Sequence, residues 1–153
     1  MQLRDYLPKT LFGRMLSIIL VPMILVQVIT IFIFYERHWD TVTRHMASQL
    51  AAEIDLLADR LGSNPDKATI DLIQKTGWQY FSFPVQHNPD GVFPGPNEGQ
   101  PDSYAETMLR LELSRRLSQD WHVDLVSDPN LIFVDLKLDN GVIRIYASRK
   151  RIF

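Results

Sequence analysis

The chain has 153 residues, 46% of them hydrophobic, with 16 Lys and Arg against 18 Asp and Glu and a formal charge of -2. Its basic residues are dispersed or gathered at the two chain ends, which gives nucleic acid no footprint, so no nucleic-acid partner is expected. The absence of cysteine excludes disulfides and thiolate chemistry; it is compatible with an oxidising compartment but assigns none.

From Leu16 to Tyr35 there is no charged residue, and the only strongly polar interruptions are Ser17, Gln27 and Thr30. A helix of that length is about 30 Å long, the thickness of a bilayer's hydrocarbon core. A cleaved secretion signal has an apolar stretch of about 7 to 15 residues next to a small-residue cleavage site. Here the run passes straight into Phe34, Tyr35, Glu36, Arg37, His38 and Trp39, so a retained transmembrane helix over 16–35 is expected, with the lipid bilayer as its partner. Pro22 is tolerable in such a helix, and Tyr35 and Trp39 suit the far interface. Arg4, Lys9 and Arg14 precede the span, against Arg37 and Arg44 after it. The positive-inside rule then puts 1–15 in the cytoplasm and 36–153 outside it. Gln27, near mid-membrane, is satisfied either across a homodimer or by its own backbone beside Pro22.

Beyond the membrane, Trp39, Val42, Met46, Leu50, Ile54, Leu57 and Leu61 recur at steps of three and four. The spacing predicts one long outward helix, its stripe either packed on its own domain or shared with a second copy. Gly62-Ser63-Asn64-Pro65 stops it, and a short helix to Thr76 follows with Ala68, Leu72 and Ile73 as its buried side. The alternation in Trp78 to Val85 predicts a strand, ended by Pro84. Gln86 to Pro101 is dense in proline and glycine and reads as a loop, for which a ligand-sensing flap and a mobile surface segment are both open. Ser103 to Glu106 has capping-box form and predicts a helix to Ser118 that buries Met108, Leu109, Leu113 and Leu117. A strand from Trp121 to Val126 and a turn at Ser127 to Asn130 come next.

In Leu131 to Arg149, Asn140-Gly141 favours a type I′ two-residue turn. Pairing Asp139 with Val142 puts Leu138 opposite Ile143, Leu136 opposite Ile145 and Val134 opposite Ala147, and makes one face wholly apolar. Arg144 then faces Lys137, a repulsion relieved by its diagonal neighbours Asp135 and Asp139. The expected architecture is α+β, with helices covering one face of a mainly antiparallel sheet; a PAS- or PDC-like arrangement fits that description.

Catalytic signatures are missing from the sequence: there is no G-x-S-x-G elbow, phosphate-binding glycine loop or H-E-x-x-H. No catalytic, cofactor-binding or metal-ligating residue is therefore assigned, and no cofactor is expected. His38 and His45 share a helix face but are too far apart for one metal within one helix, so a dimer-spanning site and ordinary interfacial or helix-surface roles are both open. His122 and Asp124 supply at most two ligands on one strand face, and His87, which adjoins the loop, is by itself no evidence of a switch.

Two stretches, Leu7 to Met46 and Ala147 to Phe153, containing E-R-H-W-D and R-K-R-I-F, resemble the sensor part of proteobacterial osmosensor-type (EnvZ-like) histidine kinases. The resemblance spans the chain from end to end, the middle by layout more than by motif. It implies a homodimeric inner-membrane receptor, paired through the long N-terminal helix, whose periplasmic domain responds to a stimulus or protein partner not named by the sequence. Residues 36–153 would end just before a second transmembrane helix. The family's phosphoacceptor and ATP boxes do not occur, so this chain is not itself expected to be an enzyme. The alternative is a membrane-anchored periplasmic interaction or scaffold protein, complete in itself, in which Arg149-Lys150-Arg151 would be a solvated tail.

Overall fold

One helix, α1 (Leu11–Leu61), takes up 51 residues of the computed structural model, which describes residues 10–152. Arg4, Lys9 and Phe153, on which part of the topology expectation rests, lie outside the described residues. The chain divides into two compact units, Met1–Thr41 and Val42–Phe153.

In the first unit the helix passes through Pro22 without interruption. Its large apolar side chains from Leu16 to Tyr35 are all exposed. Among the described residues this is the one helix long and apolar enough to cross a membrane.

The second unit begins within α1 and continues through α2 (Lys67–Thr76), a π-helical turn (Gly77–Phe81), β1 (Val85–Asn88), α3 (Tyr104–Arg116), β2 (Trp121–Asp124), β3 (Leu131–Leu138), β4 (Gly141–Ser148) and a 3-10 turn (Arg149–Arg151). The four strands form one antiparallel sheet in the order β1-β4-β3-β2. Its apolar face, with Ile132, Val134, Leu136, Ile143, Ile145 and Ala147, belongs to one core with residues of α1 and α3. The α+β expectation of helices on an antiparallel sheet therefore holds.

The stripe on α1 differs from its predicted form. Leu50, Ile54, Leu57 and Leu61 are buried, but so are Ala47, Ala51 and Ala58, whereas Trp39 and Met46 are exposed. Alanines at these positions let the helix lie close to its neighbours, a role that a count of large apolar residues overlooks. On α2 the buried side is Ile70 and Ile73, while Ala68 and Leu72 are exposed. α3 keeps its predicted face, with Leu109 and Leu113 fully buried and Met108 and Leu117 packed against the core.

The strand expected over Trp78 to Val85 is not formed. Asp66 caps α2 by accepting from the Thr69 N-H at 2.8 Å, and the helical path runs on through Gly77 into the π turn. Ser82 reverses the chain at φ 56°, where the Phe83 N-H donates to the Gly77 carbonyl at 2.9 Å. Phe83 is thereby driven into the core and Trp78 and Tyr80 face outward. β1 instead takes the first residues of the predicted loop and pairs with β4.

The β3–β4 hairpin is displaced by two residues from the predicted pairing: Leu138 lies opposite Gly141, Leu136 opposite Ile143 and Asp135 opposite Arg144. Asp139 and Asn140 form the turn without positive φ, and the positive φ falls on Gly141 at 132°. A type I′ turn, which needs positive φ at both central residues, is thus excluded. The Asp139 N-H donates to the Ser63 carbonyl at 2.9 Å, and Asn140 Nδ2 donates to the Pro65 carbonyl at 3.1 Å. A Cβ on Gly141 would stand 2.4 Å from the Asn88 carbonyl oxygen. Contacts from distant segments set the turn, and because the displacement is even, the apolar face is preserved.

Candidate functional site

Two features of the second unit combine charge with geometry that could carry a signal: the closing segment after β4, and the polar face of the sheet.

The segment after β4 is fastened at three places. The Arg149 N-H donates to the Asn130 carbonyl at 2.8 Å and its Nη1 to the Leu125 carbonyl at 3.1 Å. Arg151 forms an ion pair with Glu53 on α1, and its guanidinium lies 4.7 Å from the centre of the Phe83 ring. Ile152 and Phe83 are buried in the core. A cation over an aromatic face contributes about 0.5 to 2 kcal/mol depending on its desolvation. The solvated-tail expectation for these basic residues is therefore corrected. Arg149 and Arg151 are structural ties, and Lys150 remains exposed.

On the polar face, Asp135 is 1% exposed. Arg144 grips it with Nε and Nη2, each donating at 2.7 Å to a different carboxylate oxygen. This pairing corrects the expected apposition of Arg144 with Lys137; Asp139 takes no part in it. The carboxylate holds the Arg144 guanidinium above its ordinary pKa despite opposing desolvation. The guanidinium lies 5.4 Å from the Phe133 ring centre, Phe133 meets Tyr146 edge-on, and the Tyr146 hydroxyl donates to Gln86 Oε1 at 2.7 Å. Beside this pair is a groove of about 390 Å³, lined in part by Gln86, His87, Asn88, Arg144 and Tyr146. Among the described residues His87 Nε2, buried there, has no hydrogen-bond partner.

The segment between β1 and α3 is pinned to the other edge of the sheet. Asn97 accepts from the Val123 N-H and donates to the Val123 carbonyl, both at 2.7 Å. Its amide so imitates one residue of a fifth strand. The Gly95 carbonyl accepts from His122 Nδ1 at 2.9 Å, so that nitrogen carries the proton. Arg110 on α3 donates to the Gly99 carbonyl at 3.2 Å. An exposed strand edge is a template for unwanted pairing, and this cover blunts β2.

The histidines singled out by spacing do not converge. His38 stacks on Phe34 with ring centres 5.8 Å apart, and His45 is exposed. His122 is committed to Gly95. Asp124 accepts from the Val126 and Ser127 N-H groups at 2.8 and 3.0 Å and pairs with the Ser127 hydroxyl. Burial raises the Asp124 pKa, but these hydrogen bonds outweigh it and bring it below the ordinary carboxylate value. Among the described residues no group of three or more His, Cys, Asp and Glu is placed to hold a metal ion. The sequence had no local signal for the Arg151–Glu53 tie or for Asn97, because each depends on residues far apart in the chain.

Compared with protein-family models and with curated proteins, the chain matches none.

Proposed function

We propose that the chain is the sensory input region of a two-component histidine kinase. It is anchored by residues 16–35 in a bacterial inner membrane, paired with a second copy through α1, and carries 36–153 in the periplasm. The single observation that supports this best is the tie from the end of β4 to α1, through Arg151 on Glu53 and under Phe83. A sensor of this kind must convert a change of packing in its domain into a displacement of one membrane-proximal segment against another. A rigid link between the sheet's last strand and the anchor's own helix does this without further machinery. The same reading takes the helix-covered antiparallel sheet as PAS- or PDC-like.

In this mechanism a stimulus acts only if it interacts unequally with two arrangements of helix and sheet. The groove at Arg144 and His87 is where such a stimulus would bias β4. The chain supplies the input and not the phosphoryl chemistry.

The test uses the membrane-reconstituted protein that carries this region together with any transmitter portion. Glu53→Arg and Arg151→Glu should each change stimulus-dependent phosphorylation several-fold, and the double variant, which restores an ion pair of reversed polarity but not the cation over Phe83, should recover part of it. Phosphorylation unaffected by all three variants would overturn the mechanism. A reading frame beyond codon 153 with neither a second apolar span nor a phosphoacceptor histidine would overturn the kinase assignment itself.

A further inference from the structure

An open groove of about 650 Å³ runs between α1 and the α2–π turn, lined by Leu56, Arg60, Leu72, Lys75, Tyr80 and Phe81 among others. Its lining residues Leu72 and Tyr80 are 54% and 71% exposed, and Trp78, on the same π turn as Tyr80, is 65% exposed. Large apolar groups gathered on one surface mark contact sites in soluble domains, whereas single exposed ones do not.

The backbone holds these aromatics outward. A Cβ on Gly77 would lie 2.9 Å from Val85 Cγ2 and 3.1 Å from the Phe83 carbonyl oxygen, so the turn is pressed against the entry to β1. Ser82 sits at φ 56°, a conformation that costs a non-glycine residue about 1 kcal/mol or more. π-Helical turns and strained backbone recur at functional sites. Here they fix Trp78 and Tyr80 where the core cannot take them.

Charge narrows what can lie on this surface. Arg60 and Lys75 both line the groove, and among the described residues no carboxylate does. Among the described residues neither cation's side chain takes part in an ion pair or hydrogen bond, whereas Arg110, Arg144 and Arg151 each have a carboxylate partner. A second copy of the chain meeting this patch about a twofold axis would bring the same unpaired cations to both sides, an unfavourable arrangement. A small molecule would find too little enclosure, since such sites bury most of their ligand.

We infer that the groove receives an amphipathic acidic segment of another protein, its apolar side chains on Leu56, Leu72 and Tyr80 and its carboxylates on Arg60 and Lys75. Recognition of this kind lays one apolar helix face into a groove with charges at the rim. The partner is a different protein from this one, and the site is separate from the Arg151–Glu53 tie, so its failure leaves the sensory reading standing.

The experiment uses the full chain in detergent micelles, with the Trp78 indole N-H followed by NMR. The probe is a synthetic helix of about four turns with leucines at i, i+3, i+4 and i+7 and glutamates elsewhere, alongside a counterpart with lysines in place of the glutamates. The glutamate peptide should shift the Trp78 signal and the lysine peptide should not. In the Arg60→Glu, Lys75→Glu double variant, affinity for the glutamate peptide should fall about tenfold or more and the lysine peptide should bind instead. Gain of the opposite peptide cannot arise from misfolding. Equal binding of both peptides, or binding of neither, would overturn the proposal. So would sedimentation showing that Leu72→Glu with Tyr80→Ser dissociates a self-associated form of the chain, since the groove would then belong to a second copy.

Discussion

Asp135 lies directly opposite Arg144 across the β3–β4 ladder, and the guanidinium meets both carboxylate oxygens at 2.7 Å. The two partners are unequally exposed: the Arg144 side chain is 47% accessible and that of Asp135 2%. Removing either therefore leaves a different remnant. Arg144→Ala strands a buried carboxylate without compensation and should cost about 3 kcal/mol. Asp135→Asn leaves a cation that water can reach and should cost about 1 kcal/mol. Denaturant unfolding of the detergent-solubilised chain, followed by near-UV circular dichroism, measures both; equal losses would show that the asymmetry of burial has no energetic weight.

Gly141 is required by its neighbours as much as by its own turn. A methyl group there would approach Asn88 O to 2.4 Å and Pro89 Cα to 2.7 Å, with φ at 132°. Gly141→Ala should lower stability by about 3 kcal/mol and disturb β1 most. Gly95, at φ 93° with nothing within 4 Å of a Cβ, serves as the control. Gly95→Ala should cost about 1 kcal/mol from backbone strain alone.

Asn97 needs both halves of its amide. Asn97→Asp keeps the acceptor for the Val123 N-H but replaces the donor to the Val123 carbonyl with a second carboxylate oxygen, which repels it. Hydrogen exchange at the Val123 amide should accelerate by an order of magnitude or more, about 1 to 3 kcal/mol of local protection. Exchange at Leu136, on the far side of β2's ladder, should change little.

Asp124 contributes stability that depends on acid. Its folded pKa lies below the ordinary value, so the folded state favours the carboxylate. The contribution is complete above the unfolded value of about 4 and is lost as the pH falls through the lower folded value. Asp124→Asn should flatten the decline of stability below about pH 4. A wild-type and variant difference that is constant from neutral to acid pH would refute this.

The exposed apolar helix makes a membrane prediction. Leu25→Arg, near the middle of the apolar 16–35 stretch, should add about 2.5 to 3.5 kcal/mol to insertion. It should shift protein from the alkali-resistant membrane fraction to the extractable one. An unchanged fraction would count against a lipid-facing position for Leu25.

Where the controlling interaction is local, it is legible in the residues themselves. Ser103 Oγ accepts from the Glu106 N-H at 3.2 Å as its spacing predicts, and the faces of α3 and of the β3–β4 hairpin follow from periodicity. Even there the reciprocal half of the capping box differs. Glu106 accepts from the Asp102 N-H at 3.0 Å and pairs with Arg110, one turn further along α3, instead of turning to Ser103. In Trp78 to Val85 the alternation of aromatic and polar residues imitates a strand, yet local periodicity cannot register that α2 continues through Gly77 and that Phe83 has a place in the core.

The sequence by itself determined the long apolar helix, the α+β class and which side of each hairpin strand faces inward, because these rest on composition and on periods of two and three to four residues. Tertiary structure alone decided the hairpin's register, the burial of Asp135 under Arg144, the seat of Arg151 on Glu53 and the outward set of Trp78 and Tyr80. Each of these depends on close approach between segments remote in sequence, as when Asn88 and Pro89 crowd Gly141. No window of neighbouring residues contains both sides of such a contact.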